Sequence, residues 1–71
     1  MNQNALILNH LRTRDYISPL EALQLYGCMR LGARIYDLRR QGFRIKTIHI
    51  KKKNIFGREI HYAVYELEDT L

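Results

Sequence analysis

A chain of 71 residues is one domain at most, and a domain this small buries only about 60% of the surface that its unfolded form exposes. The core is thin, leaving little room for a deep substrate cleft, so a stand-alone enzyme is disfavoured; a second copy or a bound partner would add stability. A hydrophobic fraction of 46% argues against disorder, while 12 Lys plus Arg against 7 Asp plus Glu give a net charge of +5 and a pI near 9.7, a surplus that favours a polyanionic partner.

Cys28, the single cysteine, excludes an intrachain disulfide and offers no cysteine cluster for zinc, which fits a reducing cytoplasm. Met1 to Leu11 lacks the basic region and apolar run of a signal peptide. No apolar stretch approaches the roughly 18 residues of a membrane span.

Gln3 to Arg12 reads as the first helix. Ile7, Leu8 and Leu11 fall on one side, with Ala5 and Leu6 beside them, and Asn2 or Asn4 would cap it. Asp15 to Ile17 is short and extended, with Ile17 pointing inward. Ser18-Pro19-Leu20-Glu21 then carries serine at the N-cap, proline at the first helical position and glutamate at the third, the pattern of a capping box. That helix, 19–26, ends at Gly27, a residue able to take the left-handed conformation. Leu20, Leu23 and Ala22 are expected to face inward.

A third helix, 29–41, is predicted from the stripe Leu31, Ile35 and Leu38. Gly42 stops it, and Arg39 and Arg40 sit in its last turn, where the helix dipole favours cations. Two helices joined by about three residues that include glycine form a helix-turn-helix. From Phe43 the period changes. Phe43 to Lys51 and Glu59 to Leu67 read as strands, giving a hairpin over 43–67 with a basic tip at Lys52 to Arg58. Ala63, Tyr65 and Leu67 share one face, and Tyr62, Val64 and Glu66 the other. Glu68 to Leu71 is read as a frayed tail.

The segment Ser18-Pro19-Leu20-Glu21-Ala22-Leu23, followed by Gly27-Cys28 and by Arg34-Ile35-Tyr36-Asp37-Leu38-Arg39-Arg40-Gln41-Gly42-Phe43, resembles small winged helix-turn-helix proteins of phages and prophages. The resemblance runs from Asn2 to Leu67 and is most specific from Ser18 to Thr47. It implies an α+β winged helix-turn-helix: three helices, a C-terminal β-hairpin wing, and Asp15 to Ile17 as a short third strand. Members are assigned to DNA binding by their fold, and winged helices also serve as protein-interaction modules.

Such a fold would lay the third helix in the major groove with its N-terminal residues at base edges. The face opposite the core stripe carries Met29, Ala33, Tyr36, Asp37 and Arg40, with Arg30 flanking. Arg30 is the expected base reader, because arginine is the common bidentate partner of guanine. Gly32 and Ala33 are small enough to let the backbone approach DNA. Arg40 would meet phosphate. Arg34 and Asp37, three apart, would pair on the helix surface, Arg34 also counting among the expected DNA-contacting residues, and an acid on that face counts against phosphate binding. Lys51, Lys52, Lys53 and Arg58 suit phosphate or minor-groove contact. Ile55 and Phe56 beside them are unusual for a solvated loop. Arg44 and Lys46, and Arg12 and Arg14, would extend the positive surface.

His10, His49 and His61 show no metal-ligand spacing; His49 and His61 are expected to pair across the hairpin. Cys28 reads as a small packed residue. No catalytic motif is present, so no catalytic residue, metal or cofactor is assigned. The leading expectation is a sequence-specific double-stranded DNA-binding protein, a transcription regulator or excision accessory that binds as a homodimer through the first helix, the Tyr62/Val64 face or the tail. A protein-interaction module docking on a host or phage protein complex is the alternative, favoured by exposed Met29, Tyr36, Ile55 and Phe56. RNA binding is weaker, for want of aromatic residues stacked on a sheet.

Overall fold

The computed structural model of the protein describes residues 2–68. Three helices, α1 (Gln3–Thr13), α2 (Pro19–Tyr26) and α3 (Leu31–Arg40), precede an antiparallel hairpin of β1 (Ile45–Lys53) and β2 (Glu59–Leu67). Of the C-terminal segment expected to fray, Glu68 is held by its N–H to the Arg44 carbonyl at 2.8 Å; the residues after it lie outside the described ones.

Asn2 rather than Asn4 caps α1, its Oδ1 accepting the Ala5 N–H at 2.8 Å. The helix turns Ile7, His10 and Leu11 inward. The His10 Nε2 lies 2.8 Å from the Tyr16 carbonyl oxygen, and Nδ1 lies 2.7 Å from the Tyr26 hydroxyl. A carbonyl can only accept, so Nε2 carries a proton and donates to it, and Nδ1 shares a hydrogen bond with the Tyr26 hydroxyl. The buried imidazole thus ties α1 to the end of α2 and to the loop before it, with both nitrogens satisfied. Ile17 is fully buried. Its backbone exchanges two hydrogen bonds of 3.0 Å with Tyr65, so the third strand is a single bridge on the outer edge of β2.

The capping box of α2 is complete: the Ser18 Oγ accepts the Glu21 N–H at 3.1 Å, and the Glu21 Oε1 accepts the Ser18 N–H at 3.0 Å. Gly27 ends the helix at φ 65°, a backbone state that residues with a Cβ rarely adopt. The inward assignment holds for Ala22 alone. Leu20 and Leu23 are exposed, at 61% and 45%. A helix of eight residues touches the core along one narrow line, and Ala22 and Tyr26, one turn apart, occupy it. The leucines flank that line and face solvent.

Leu31, Ile35 and Leu38 of α3 are buried. They meet Ile7, Leu11, Ile17, Ala22, Cys28 and Ile45 in one core. Helix α3 starts two residues later than expected. Cys28 is buried and its N–H is held by the Ala22 carbonyl at 3.0 Å, so Met29 and Arg30 are used to bring the chain back out. Arg30 is the N-cap, at φ −124° and ψ 62°. Its carbonyl accepts the first helical bonds, from Ala33 at 3.1 Å and Arg34 at 3.3 Å.

The hairpin is also displaced along the chain. Phe43 and Arg44 belong to the turn after α3, with the Phe43 N–H on the Leu38 carbonyl at 3.2 Å. Lys52 and Lys53, read as loop, are strand residues opposite Ile60 and Glu59. The register puts Ile45, Thr47, Tyr65 and Leu67 on the face turned to the helices, where Ile45, Tyr65 and Leu67 join the core. The opposite, outer face carries Ile48, Ile50, Ile60, Tyr62 and Val64, and its hollows are completed by Tyr16 and by Pro19 and Leu20.

Candidate nucleic-acid interface

The exposed side of α3 is narrower than the sequence suggested. Gly32, Tyr36 and Arg40 are exposed, and Ala33 is half-buried. Met29 and Arg30 stand beside them, exposed, on the turn just before the helix. The Arg40 guanidinium carbon lies 5.9 Å from the centre of the Tyr36 ring, and this stacking one helical turn apart holds a cation over the exposed face. Nothing within the protein calls for glycine at position 32: a Cβ there would meet no heavy atom within 4 Å.

Asp37 stands at the border of this face, beside Arg40. It turns toward α1, where its Oδ2 accepts from Asn4 Nδ2 at 3.4 Å and lies 3.2 Å from the Arg34 Nη2. The acid that counted against phosphate binding is neutralised at the junction of α1 and α3. Arg34, half-buried, pairs with Asp37 within α3, and Asn4 carries the bond from α1 to that carboxylate.

Strand alternation divides the lysine run. Thr47, His49, Lys51 and Lys53 share the face turned toward the helices at its base; Lys46 and Lys52 lie on the outer face. The Lys52 Nζ sits 5.8 Å from the Tyr62 ring centre. Lys46 pairs with Glu66 at 2.9 Å. That hydrogen bond, and then the carboxylate's charge, raise the Lys46 pKa above the ordinary lysine value. Lys51 contacts Glu59 at 3.1 Å, an exposed pair worth little in water and easily exchanged for a phosphate. Lys53 and Arg58 are exposed near the tip. His49 and His61 are not partners. His49 is opposite Ala63 and His61 opposite Lys51, and the His61 Nε2 lies 3.2 Å from Glu59. Arg12 covers the Phe43 ring, 5.5 Å from its centre, while Arg14 and Arg44 are exposed.

Arg39 fixes how wing and helix sit together, a role the sequence did not suggest. Its Nε and Nη2 donate to the Ile45 carbonyl at 2.9 and 2.6 Å, and Nη2 also donates to the Thr47 Oγ1 at 3.0 Å. In sequence it is one of two adjacent arginines in a last helical turn, and only tertiary structure separates Arg39, the brace, from Arg40, the exposed cation. His10 was equally hidden, although its place between Ile7 and Leu11 on the apolar side of α1 was a signal that it is buried.

Among the described residues, no group of three or more His, Cys, Asp or Glu residues is placed to hold a metal ion, and no helix is long and apolar enough to cross a membrane. A capped helix, a four-residue turn from Gly27 to Arg30, a second helix with a cationic exposed face and a basic hairpin braced against it define a helix-turn-helix with a wing, typically a DNA-binding module without catalytic chemistry. A family model for the winged helix-turn-helix domain matches residues 2–70, and the chain belongs to that family. Neither the curated proteins nor the solved structures contain a match to it.

Proposed function

We propose that the protein is a sequence-specific double-stranded DNA-binding regulator, a transcription factor or excision accessory of the phage type its sequence resembles. Helix α3 enters the major groove and the wing lies along the backbone. The observation that carries this reading is the bracing of two cationic features against each other. Arg30 and Arg40 flank the exposed face of α3, and the wing face bearing Lys51 and Lys53 is tied to the same helix through Arg39. Arg30, outside the helix and free of a side-chain capping bond, reads a guanine edge. Met29, Gly32, Ala33 and Tyr36 line the approach. Arg40, Lys51, Lys53 and Arg58 hold phosphates, and Lys52, on the outer face, supports from the rim.

Two copies act together in this reading, because one domain this small reads only a few base pairs. The outer sheet face around Ile48, Ile50, Tyr62 and Val64 is the contact surface. Its centre is apolar, the Lys46–Glu66 pair at one border cancels charge locally, and Lys52 at the other lies over the Tyr62 ring, so two copies can meet at that centre with their lysines at the edge. Sedimentation equilibrium of wild type and of Val64→Glu tests this. A wild-type dimer lost in the variant is expected; a wild-type monomer, with or without DNA, overturns this contact.

The functional reading is tested by binding the protein to a library of random duplexes and sequencing the retained fraction. Enrichment of a defined site, lost on Arg30→Ala with the fold intact, is expected. No retention of any duplex at low salt would overturn it.

A further inference from the structure

The tip of the wing displays two bare apolar side chains on a closely bonded turn. Ile55 is 93% exposed and Phe56 83%, yet the turn beneath them is tightly bonded. The Asn54 Oδ1 accepts the N–H groups of both Phe56 and Arg58, at 2.9 and 3.0 Å. The Asn54 N–H reaches the Arg58 carbonyl at 2.8 Å, and the Gly57 N–H reaches the Asn54 carbonyl at 3.0 Å. Gly57, at φ 77°, takes the left-handed step that closes this turn. A loop evolved only for solubility would put polar residues at Ile55 and Phe56, and a loop that hid them would fold back over the hairpin. This one turns both side chains outward from a bonded backbone turn, so little backbone entropy remains to be lost on insertion.

Cations border the tip: Lys53 precedes the turn and Arg58 follows it, both exposed. An apolar pair framed by positive charge matches a surface with apolar base faces between rows of phosphates. The reach also fits. Beyond Thr47 the six residues Ile48 to Lys53 carry β1 outward, and at about 3.3 Å per residue the tip stands roughly 20 Å past the part of the hairpin that joins the core. Half a turn of DNA, the step from a major groove to the adjoining minor groove, is about 17 Å.

We infer that the wing tip is a wedge: Ile55 and Phe56 enter the minor groove next to the α3 site and insert at a base step, unstacking it and bending the duplex. This rests on the DNA-binding reading above and adds to it a deformation of the target. Flexible pyrimidine–purine steps yield most easily to such insertion, so the wedge favours a TA or CA step about half a turn from the bases that α3 reads, without any hydrogen bond to it.

The chain contains no tryptophan, so Phe56→Trp places one fluorophore at the wedge. The probe is a 30-base-pair duplex with TA steps, carrying 2-aminopurine beside one of them and a donor–acceptor pair at its ends. On saturation, the Phe56→Trp emission is expected to be quenched and shielded from iodide, the 2-aminopurine emission to rise, and the end-to-end distance to shorten. The double variant Ile55→Ser/Phe56→Ser, altered only at exposed positions, should still bind, about tenfold more weakly given what one stacked ring contributes, with straight DNA and quenched 2-aminopurine. An indole of the Phe56→Trp variant that stays open to iodide in the saturated complex, or a double variant that bends DNA as wild type does, overturns the wedge while leaving DNA binding standing. Absence of any duplex binding by the wild type overturns both.

Discussion

Gly32→Ala separates folding from binding at one atom. Gly32 is the second residue of α3 and lacks the positive φ of Gly27, Gly42 and Gly57, so alanine fits its backbone. The added Cβ meets nothing within 4 Å, so there is no steric cost, and the unfolded chain loses freedom. Glycine inside a helix costs about 0.5–1 kcal/mol relative to alanine. In a first turn the lower figure applies, and a gain of about 0.5 kcal/mol raises the Tm of a domain this size by roughly 2–4 °C. A stabilising residue is therefore forgone at a site that no internal contact restricts, which is what close approach of a DNA backbone or base edge would require. Thermal unfolding by circular dichroism reads the first effect. Anisotropy titration of the selected duplex reads the second, expected as about a tenfold loss, the equivalent of 1.4 kcal/mol. A variant that melts earlier refutes a helix that begins at Leu31. One that melts later and binds DNA equally well removes Gly32 from the interface.

His10→Ala should destabilise the domain by about 3 kcal/mol, because it opens a cavity and strands the Tyr16 carbonyl and the Tyr26 hydroxyl; urea unfolding measures this, and a loss below about 1 kcal/mol would contradict the buried tie. Arg39→Met keeps the aliphatic stem but removes the bonds to Ile45 and Thr47, at a cost of about 1–2 kcal/mol. With the wing no longer braced against α3, duplex affinity should fall by more than that stability loss explains at temperatures where the variant is folded, and unchanged affinity would free the wing angle from Arg39.

The parts of the fold fixed by local chemistry were readable in the sequence. The Ser18–Glu21 box, the Leu31/Ile35/Leu38 stripe and the alternation along β2 each depend on residues a few positions apart. What depended on a distant partner was not. Leu20 and Leu23 looked like core residues because apolar periodicity does not say how much of a short helix the core can cover. Met29 and Arg30 looked helical because nothing local shows that Cys28 is anchored to Ala22. Asp37 looked like an exposed acid until α1 brought Asn4 beside it. The lysines of the wing looked like one patch, and the register divided them between two faces. For the site, residue types were legible and directions were not: arginines 34, 39 and 40 are near neighbours in sequence but serve an ion pair within α3, a brace and an exposed face.

The salt dependence of duplex binding decides whether the cations of α3 and the wing meet phosphates. With Arg40, Lys51, Lys53 and Arg58 on phosphates, four counterions are displaced per copy. The logarithm of the association constant should then fall linearly with the logarithm of salt concentration, with a slope of about −7.2 for two bound copies and so about −3.6 per copy. Replacing Lys53 with Ala should make that slope shallower by about 0.9 per copy. A slope near zero, or no binding to duplex DNA at about 50 mM salt, would contradict a DNA-binding winged helix.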